Sequence, residues 1–214
     1  MGWQLSTVAT PLEGRPLAEV AGAVIGRRVE LEPGRPDNLF MPGDGLWAVS
    51  AGERAWLFSE TVFDDFVSRR INPQREMAGF ALHSVVNAYG FALWREDGFV
   101  RRRFGAAPTG ALARSVILDD GAMLPEEIEA VRALGRDDRD IASAEIAEAI
   151  WREPRIIEEP VDHSLLGDTV VFAMLSTFCG LRDEGAFFDL IETAEPFRVK
   201  RSGALSRLRS GFRR

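Results

Sequence analysis

Two histidines, one cysteine and a run of three arginines are the residues of this 214-residue chain whose types invite chemistry. His83 and His163 stand apart from any His-x-x-x-His or His-x-x-Glu-His pattern, and a single cysteine is too few for a structural zinc set. Asp162 precedes His163, but sequence neighbours form a dyad only when the chain folds them together. His83, at the entrance of a strand-like run, reads as a hydrogen-bonded structural histidine. Cys179, among Phe172, Met174, Leu175 and Phe178, reads as a buried, inert thiol. No Gly-x-Ser-x-Gly elbow and no glycine-rich phosphate loop occurs. The turn Pro42-Gly43-Asp44-Gly45 carries a carboxylate that repels phosphate, and Asp137-Asp138-Arg139-Asp140 lacks the mid-loop glycine of a calcium site. Glu126 and Glu127 are explained by the start of a helix, where carboxylates favour the dipole. The sequence therefore assigns no catalytic residue, no metal ligand and no cofactor.

Arg101-Arg102-Arg103 allows two readings. On a strand, Arg102 points away from Arg101 and Arg103. A two-residue turn pairs Trp94 with Arg101 as a cross-strand cation–π contact, whereas a three-residue turn that includes Glu96 sets Trp94 beside Val100. The run is either a charged, partly exposed strand or an anion- or partner-binding strip of Trp94, Arg101 and Arg103. Residues 198–214 hold seven basic groups and no acidic ones, with Leu205, Leu208 and Phe212 on one side of a short helical pattern. That segment is either a solvated tail docking on its own acidic body or a contact for a partner, nucleic acid or anionic lipid through residues such as Arg207 and Arg209.

The element that must position the arginines is the stretch from His83 to Phe104, read as a long strand, a tight turn at Asp97-Gly98 and a second strand. The first strand is apolar at both parities, Tyr89, Phe91 and Leu93 on one face and Ala88, Ala92 and Trp94 on the other. It belongs inside a sheet covered on both sides. Earlier come a strand over 3–9, a helix after Pro16 and a hairpin through Leu46–Ser50 and Ala55–Phe58. A short helix follows with Val62, Phe63 and Phe66 on its apolar face, its arginines Arg69 and Arg70 in the last turn. Residues 74–82 are ambiguous, with Met77, Phe80 and Ala81 at helical spacing.

Later come a strand over 113–118, a turn at Asp119-Asp120-Gly121, a helix begun by Pro125 and one capped by Ser143. A nearly all-apolar helix from Asp168 to Cys179 follows, then a short element over 187–191 and an edge strand at 196–199. Strands come early as hairpins and helices late. This order implies an α+β fold, an antiparallel or mixed sheet of about six strands with helices packed on it, residues 1–197 as one globular domain and 198–214 as a tail.

The stretch Tyr89–Arg102 with its Asp97-Gly98 turn, Gly121-Ala122-Met123-Leu124-Pro125-Glu126-Glu127 and the Gly167-Asp168-Thr169 helix start resemble bacterial domains of unknown function. The resemblance covers roughly residues 46–182. Its motifs are a turn, a helix start and a helix end, and it implies no catalytic residue and no activity.

Removing the seven tail groups from the 26 basic residues leaves 19 against 33 acidic ones, a net −14 for the body. Such a body disfavours nucleic acid and favours a basic partner. Lys200 is the only lysine, a bias that suggests a GC-rich genome, and a lone cysteine suits a reducing compartment. No apolar run reaches the roughly 20 residues that span a bilayer. The expectation is a non-enzymatic cytoplasmic bacterial protein, immunity-type or regulatory, whose acidic body engages a protein partner or a second copy. The alternatives are a hydrolase-like enzyme using His83 or His163, and nucleic-acid or anionic-surface binding through the tail.

Overall fold

The computed structural model describes residues 4–31, 46–83, 88–106, 115–137, 143–152, 163–181 and 184–199. Nine strands lie among them: β1 (Gln4–Pro11), β2 (Val29–Leu31), β3 (Leu46–Ala51), β4 (Arg54–Phe58), β5 (Glu76–His83), β6 (Ala88–Arg95), β7 (Gly98–Ala106), β8 (Ser115–Asp120) and β9 (Glu195–Val199). They form one antiparallel sheet in the order β2-β9-β3-β4-β1-β5-β6-β7-β8. Six helices accompany them: α1 (Leu17–Ile25), α2 (Val62–Val67), α3 (Pro125–Asp137), α4 (Ala144–Arg152), α5 (His163–Cys179) and α6 (Glu184–Glu192). The α+β class holds, with nine strands in place of about six.

Both faces of the sheet are covered. Under α1 and α2, Val8, Leu57, Ala92 and Trp94 of the strands pack against Val20, Val24, Phe63 and Phe66. On the other face, Trp56, Phe80, Tyr89, Phe91 and Leu93 meet Val131, Trp151, Val171, Met174 and Phe187 of α3 to α6. This is why β6 is apolar at both parities: every residue from Ala88 to Trp94 is buried. The helix α5 is apolar nearly all round because it lies between the sheet and the outer helices, with Val170, Val171, Met174 and Leu175 buried.

Several boundaries differ from the sequence reading. The run expected as one strand from His83 is two, for His83 of β5 pairs with Ala88 of β6 and the chain reverses between them. Residues 76–83 are a strand despite their helical spacing, because β5 sits between β1 and β6 and its side chains meet both cores. Asp119 and Asp120 are the end of β8 and not a turn; arginines of β7 hold both side chains. The helix α5 begins at His163, one turn before Asp168. The strand at the chain's end, β9, lies between β2 and β3 and is not an edge; the short β2 covers it.

Candidate functional site

The turn between β6 and β7 decides which candidate residues share a face. Arg95 pairs with Gly98, so the two turn residues are Glu96 and Asp97, and Glu96 takes the positive φ of 53°. A register shift follows at once: Trp94 pairs with Phe99, yet Leu93 pairs with Arg101, leaving Val100 as the extra residue of a bulge. Neither sequence register is the one formed. Trp94 faces α2, its indole N–H donates to the Glu96 carbonyl at 3.0 Å, and its ring meets Phe99 edge-on at 5.0 Å. Arg101 and Arg103, paired with Leu93 and Phe91, face the α3–α6 side. The bulge thus places Trp94 and the arginine pair on opposite faces of the sheet, and they form no common strip.

Nor is the arginine strand partly exposed on that side. Arg101 and Arg103 are 1% and 0% exposed and sit in a polar cluster with the buried Glu127 and with Asp119, through which it reaches the surface. Arg101 donates Nε to Glu127 Oε2 at 2.9 Å and Nη2 to Glu127 Oε1 at 2.7 Å, and Nη1 to Asp119 and the Gly121 carbonyl. Arg103 donates Nη1 to Asp119 Oδ2 at 3.0 Å and Nη2 to the Trp151 carbonyl at 2.6 Å. Its guanidinium lies over the Trp151 ring, 3.9 Å from the centroid, and the Trp151 indole N–H donates to Glu127 Oε1 at 2.7 Å. Two cations meet two carboxylates, so the cluster is neutral. That is the condition under which charges are tolerated in a low-dielectric interior.

Each partner arrives for a local reason. Pro125 sets the first turn of α3, and Glu127, two residues on, also accepts the Leu124 backbone N–H at 3.2 Å, the reach-back half of a capping box. Asp119 is opposite Arg103 in the β7–β8 ladder. Trp151 stands at the end of α4, against Tyr89 at 5.5 Å between ring centroids. Burial, the largest single influence, lowers the Arg101 pKa, but Glu127 and Asp119 together outweigh it and hold it above the ordinary arginine value. Desolvation pushes the Tyr89 hydroxyl up to about 12, even with Arg103 beside it. On the opposite face Arg102 pairs with Asp120, lies 4.4 Å from the Phe99 ring centroid, and holds the Asp120 carboxyl below its usual value. The sequence hides the cluster because a turn and a helix start already account for Asp119 and Glu127. The signal the sequence does carry is two like charges at the same parity on a strand beside an all-apolar neighbour, which demands buried counter-ions.

The remaining candidates are scattered. His83 ends β5, half-buried, its Nδ1 without a hydrogen-bond partner, and it lines neither of the two clefts described below. His163 opens α5, but its side chain, Asp162, Arg207 and Arg209 lie outside the described residues. Cys179 is partly exposed at the end of α5, and desolvation pushes its thiol up to about 12. Among the described residues no group of three or more His, Cys, Asp or Glu side chains can hold a metal ion, and no helix is long and apolar enough to cross a membrane.

Two open clefts flank Arg27 beyond the end of α1. One, about 700 Å³, is lined by Glu19, Gly22, Gly26, Arg28 and Asn72; the other, about 370 Å³, by Ser59, Glu60, Asp65, Arg70 and Ile71. Their charges are mixed and select no sign of ligand. No protein-family model, no curated protein and no solved structure matches the chain.

Proposed function

We propose that this chain is a non-catalytic binding protein of the bacterial cytoplasm, immunity-type or regulatory, whose acidic body engages a basic protein partner. One observation carries the reading: the body is strongly acidic, and its two buried arginines are spent on internal carboxylates. Arg101, Arg103, Glu127 and Asp119 fasten α3 and α4 to the sheet, and of the four only Asp119 reaches solvent. The excess of carboxylates is left to the exterior, with Glu126, Glu129, Glu145, Asp189, Glu192 and Glu195 exposed. Such a field steers a basic partner and weakens with salt.

The test is affinity purification on the immobilised chain across a salt series, with the retained protein identified and its stoichiometry measured. A basic partner retained at low salt, released as salt rises, and lost when Asp189 and Glu192 of α6 are changed to lysine supports the reading. An acidic partner, or none above a control surface, contradicts it.

A further inference from the structure

The cleft of about 370 Å³ lies where three ends of the fold meet. Ile25 is the last residue of α1, Leu46 the first of β3 and Val199 the last of β9, and all three line it. Val62 and Ile71 line it too and are buried. Ile25, Leu46 and Val199 pack against the core under α1 and α2 but are only partly buried. The cleft therefore presents apolar surface that a further apolar side chain would remove from water, at about 25 cal/mol per Å².

The strand ladder says which part of the chain arrives there. Val199 pairs with Val29 of β2, and Phe197 pairs with Leu46, so β9 leaves the sheet at the wall of the cleft. Residues 200–214 continue from that point and lie outside the described residues. Ser202-Gly203 is a turn signal close behind Val199, and a reversal there returns Leu205 toward the cleft. Leu205, Leu208 and Phe212 follow at helical spacing, among Arg207, Arg209, Arg213 and Arg214. The charges fit the same occupant. The lining is balanced, Glu60 and Asp65 against Arg27 and Arg70, which suits neutral side chains inside. Beside it α2 is acidic. Burial first and the neighbouring Asp65 second hold the Asp64 carboxyl above its usual value, with Arg70 only partly offsetting them. A cation laid across α2 relieves that repulsion, and the segment beyond Val199 carries cations and no acidic residue.

We propose that residues 200–214 fold back on this cleft, Leu205 and Leu208 covering Ile25, Leu46 and Ile71, and Arg207 and Arg209 facing Glu60 and Asp64. The segment is tethered at the cleft itself, so its effective concentration there is on the order of millimolar and a weak contact suffices. The segment turns inward, and its arginines are withdrawn from nucleic acid and anionic lipid. The contact lies within one chain and is independent of the protein partner proposed above.

The test is methyl NMR on the full chain with Cys179→Ala and a nitroxide attached at Ser206→Cys. The Ile25, Leu46 and Ile71 methyl signals lose most of their intensity, while those of Val131 and Ile150, in the core on the other face of the sheet, keep theirs. Leu205→Asp with Leu208→Asp restores the cleft signals, and unchanged Val131 and Ile150 signals show an intact fold. Cleft methyls that stay sharp beside the label overturn the proposal, as does quenching that survives both leucine changes. Quenching that passes from a labelled copy to a separate, unlabelled one overturns it in favour of a second chain. Quenching from a nitroxide at Met41→Cys and none from Ser206→Cys overturns it in favour of residues 32–45, which join β2 to Leu46.

Discussion

Arg101 of β7 holds Glu127 of α3 with two parallel hydrogen bonds, at 2.9 and 2.7 Å, inside a core where the residues are 1% and 0% exposed. A forked guanidinium–carboxylate pair fixes direction as well as distance. It sets the first turn of α3 on the sheet, and through the Trp151 indole on the same carboxylate it sets the end of α4 as well. Burying three of the cluster's four charges gains little over an apolar core of the same shape, but removing one of them leaves its partner charged and unmatched.

Asp119 serves both arginines and is the most exposed member of the cluster, at 35%. Asp119→Asn keeps the shape and removes the charge, leaving two guanidinium groups to one carboxylate. It is expected to destabilise the fold by about 2–4 kcal/mol, below the full cost of about 3–5 for breaking a wholly buried pair, because solvent reaches this position. Urea denaturation of the variant checks the loss, and Asp120→Asn, on an exposed carboxylate, is the near-neutral control.

Tyr89 occupies a slot made by two glycines. A Cβ on Gly105 comes within 2.5 Å of the Tyr89 hydroxyl, and one on Gly167 of α5 overlaps the Tyr89 ring itself. Gly167→Ala and Gly105→Ala are each expected to cost roughly 1–3 kcal/mol through overpacking, read as a lowered thermal midpoint. In a Tyr89→Ala background the Gly167→Ala penalty should largely vanish, since the obstructing ring is gone.

Stability should fall in alkali, and the sign follows from two groups. Burial raises the folded-state values of Tyr89 and Cys179 to about 12, from 10.0 and 9.0. The folded chain therefore holds protons that the unfolded chain has already released. The stabilisation is fully present below about pH 9 and is lost progressively as pH climbs toward 12. Denaturation midpoints at rising pH measure it. Cys179→Ala should delay the onset, Tyr89→Phe should flatten the upper part, and the Cys179 thiol should resist alkylation at neutral pH until the chain unfolds.

The turn of the central hairpin is suboptimal at a single residue. Glu96 carries the positive φ, while Gly98, the residue with the freedom for it, does not use it. Glu96→Gly is expected to stabilise the chain by about 1 kcal/mol, and Gly98→Ala, whose added Cβ meets nothing within 4 Å, to be nearly neutral. The order of their thermal midpoints decides.

What the sequence reveals here is what local pattern encodes. Two-sided apolarity places β6 inside a covered sheet, and Pro125 with its two glutamates marks the start of α3, because both depend on neighbouring residues alone. The Asp97-Gly98 signal correctly marks a reversal but not its register. The bulge at Val100 is set by what Arg101 must reach on the far side of the sheet, and Glu127 is 26 positions away in the chain. For the same reason the two arginines read as an exposed strip. A strand run of like charges looks solvated until the helix that neutralises it is placed.

The Arg101–Arg103 cluster is above all an internal fastener and not a binding surface. A double-mutant cycle on Arg101→Ala and Glu127→Ala, measured by urea denaturation, tests this most directly. Each single variant should lose about 3–5 kcal/mol, and the double variant should lose clearly less than their sum, giving a coupling energy of at least about 2 kcal/mol. Single variants that keep wild-type stability, with a coupling near zero and a partner no longer retained, would contradict it.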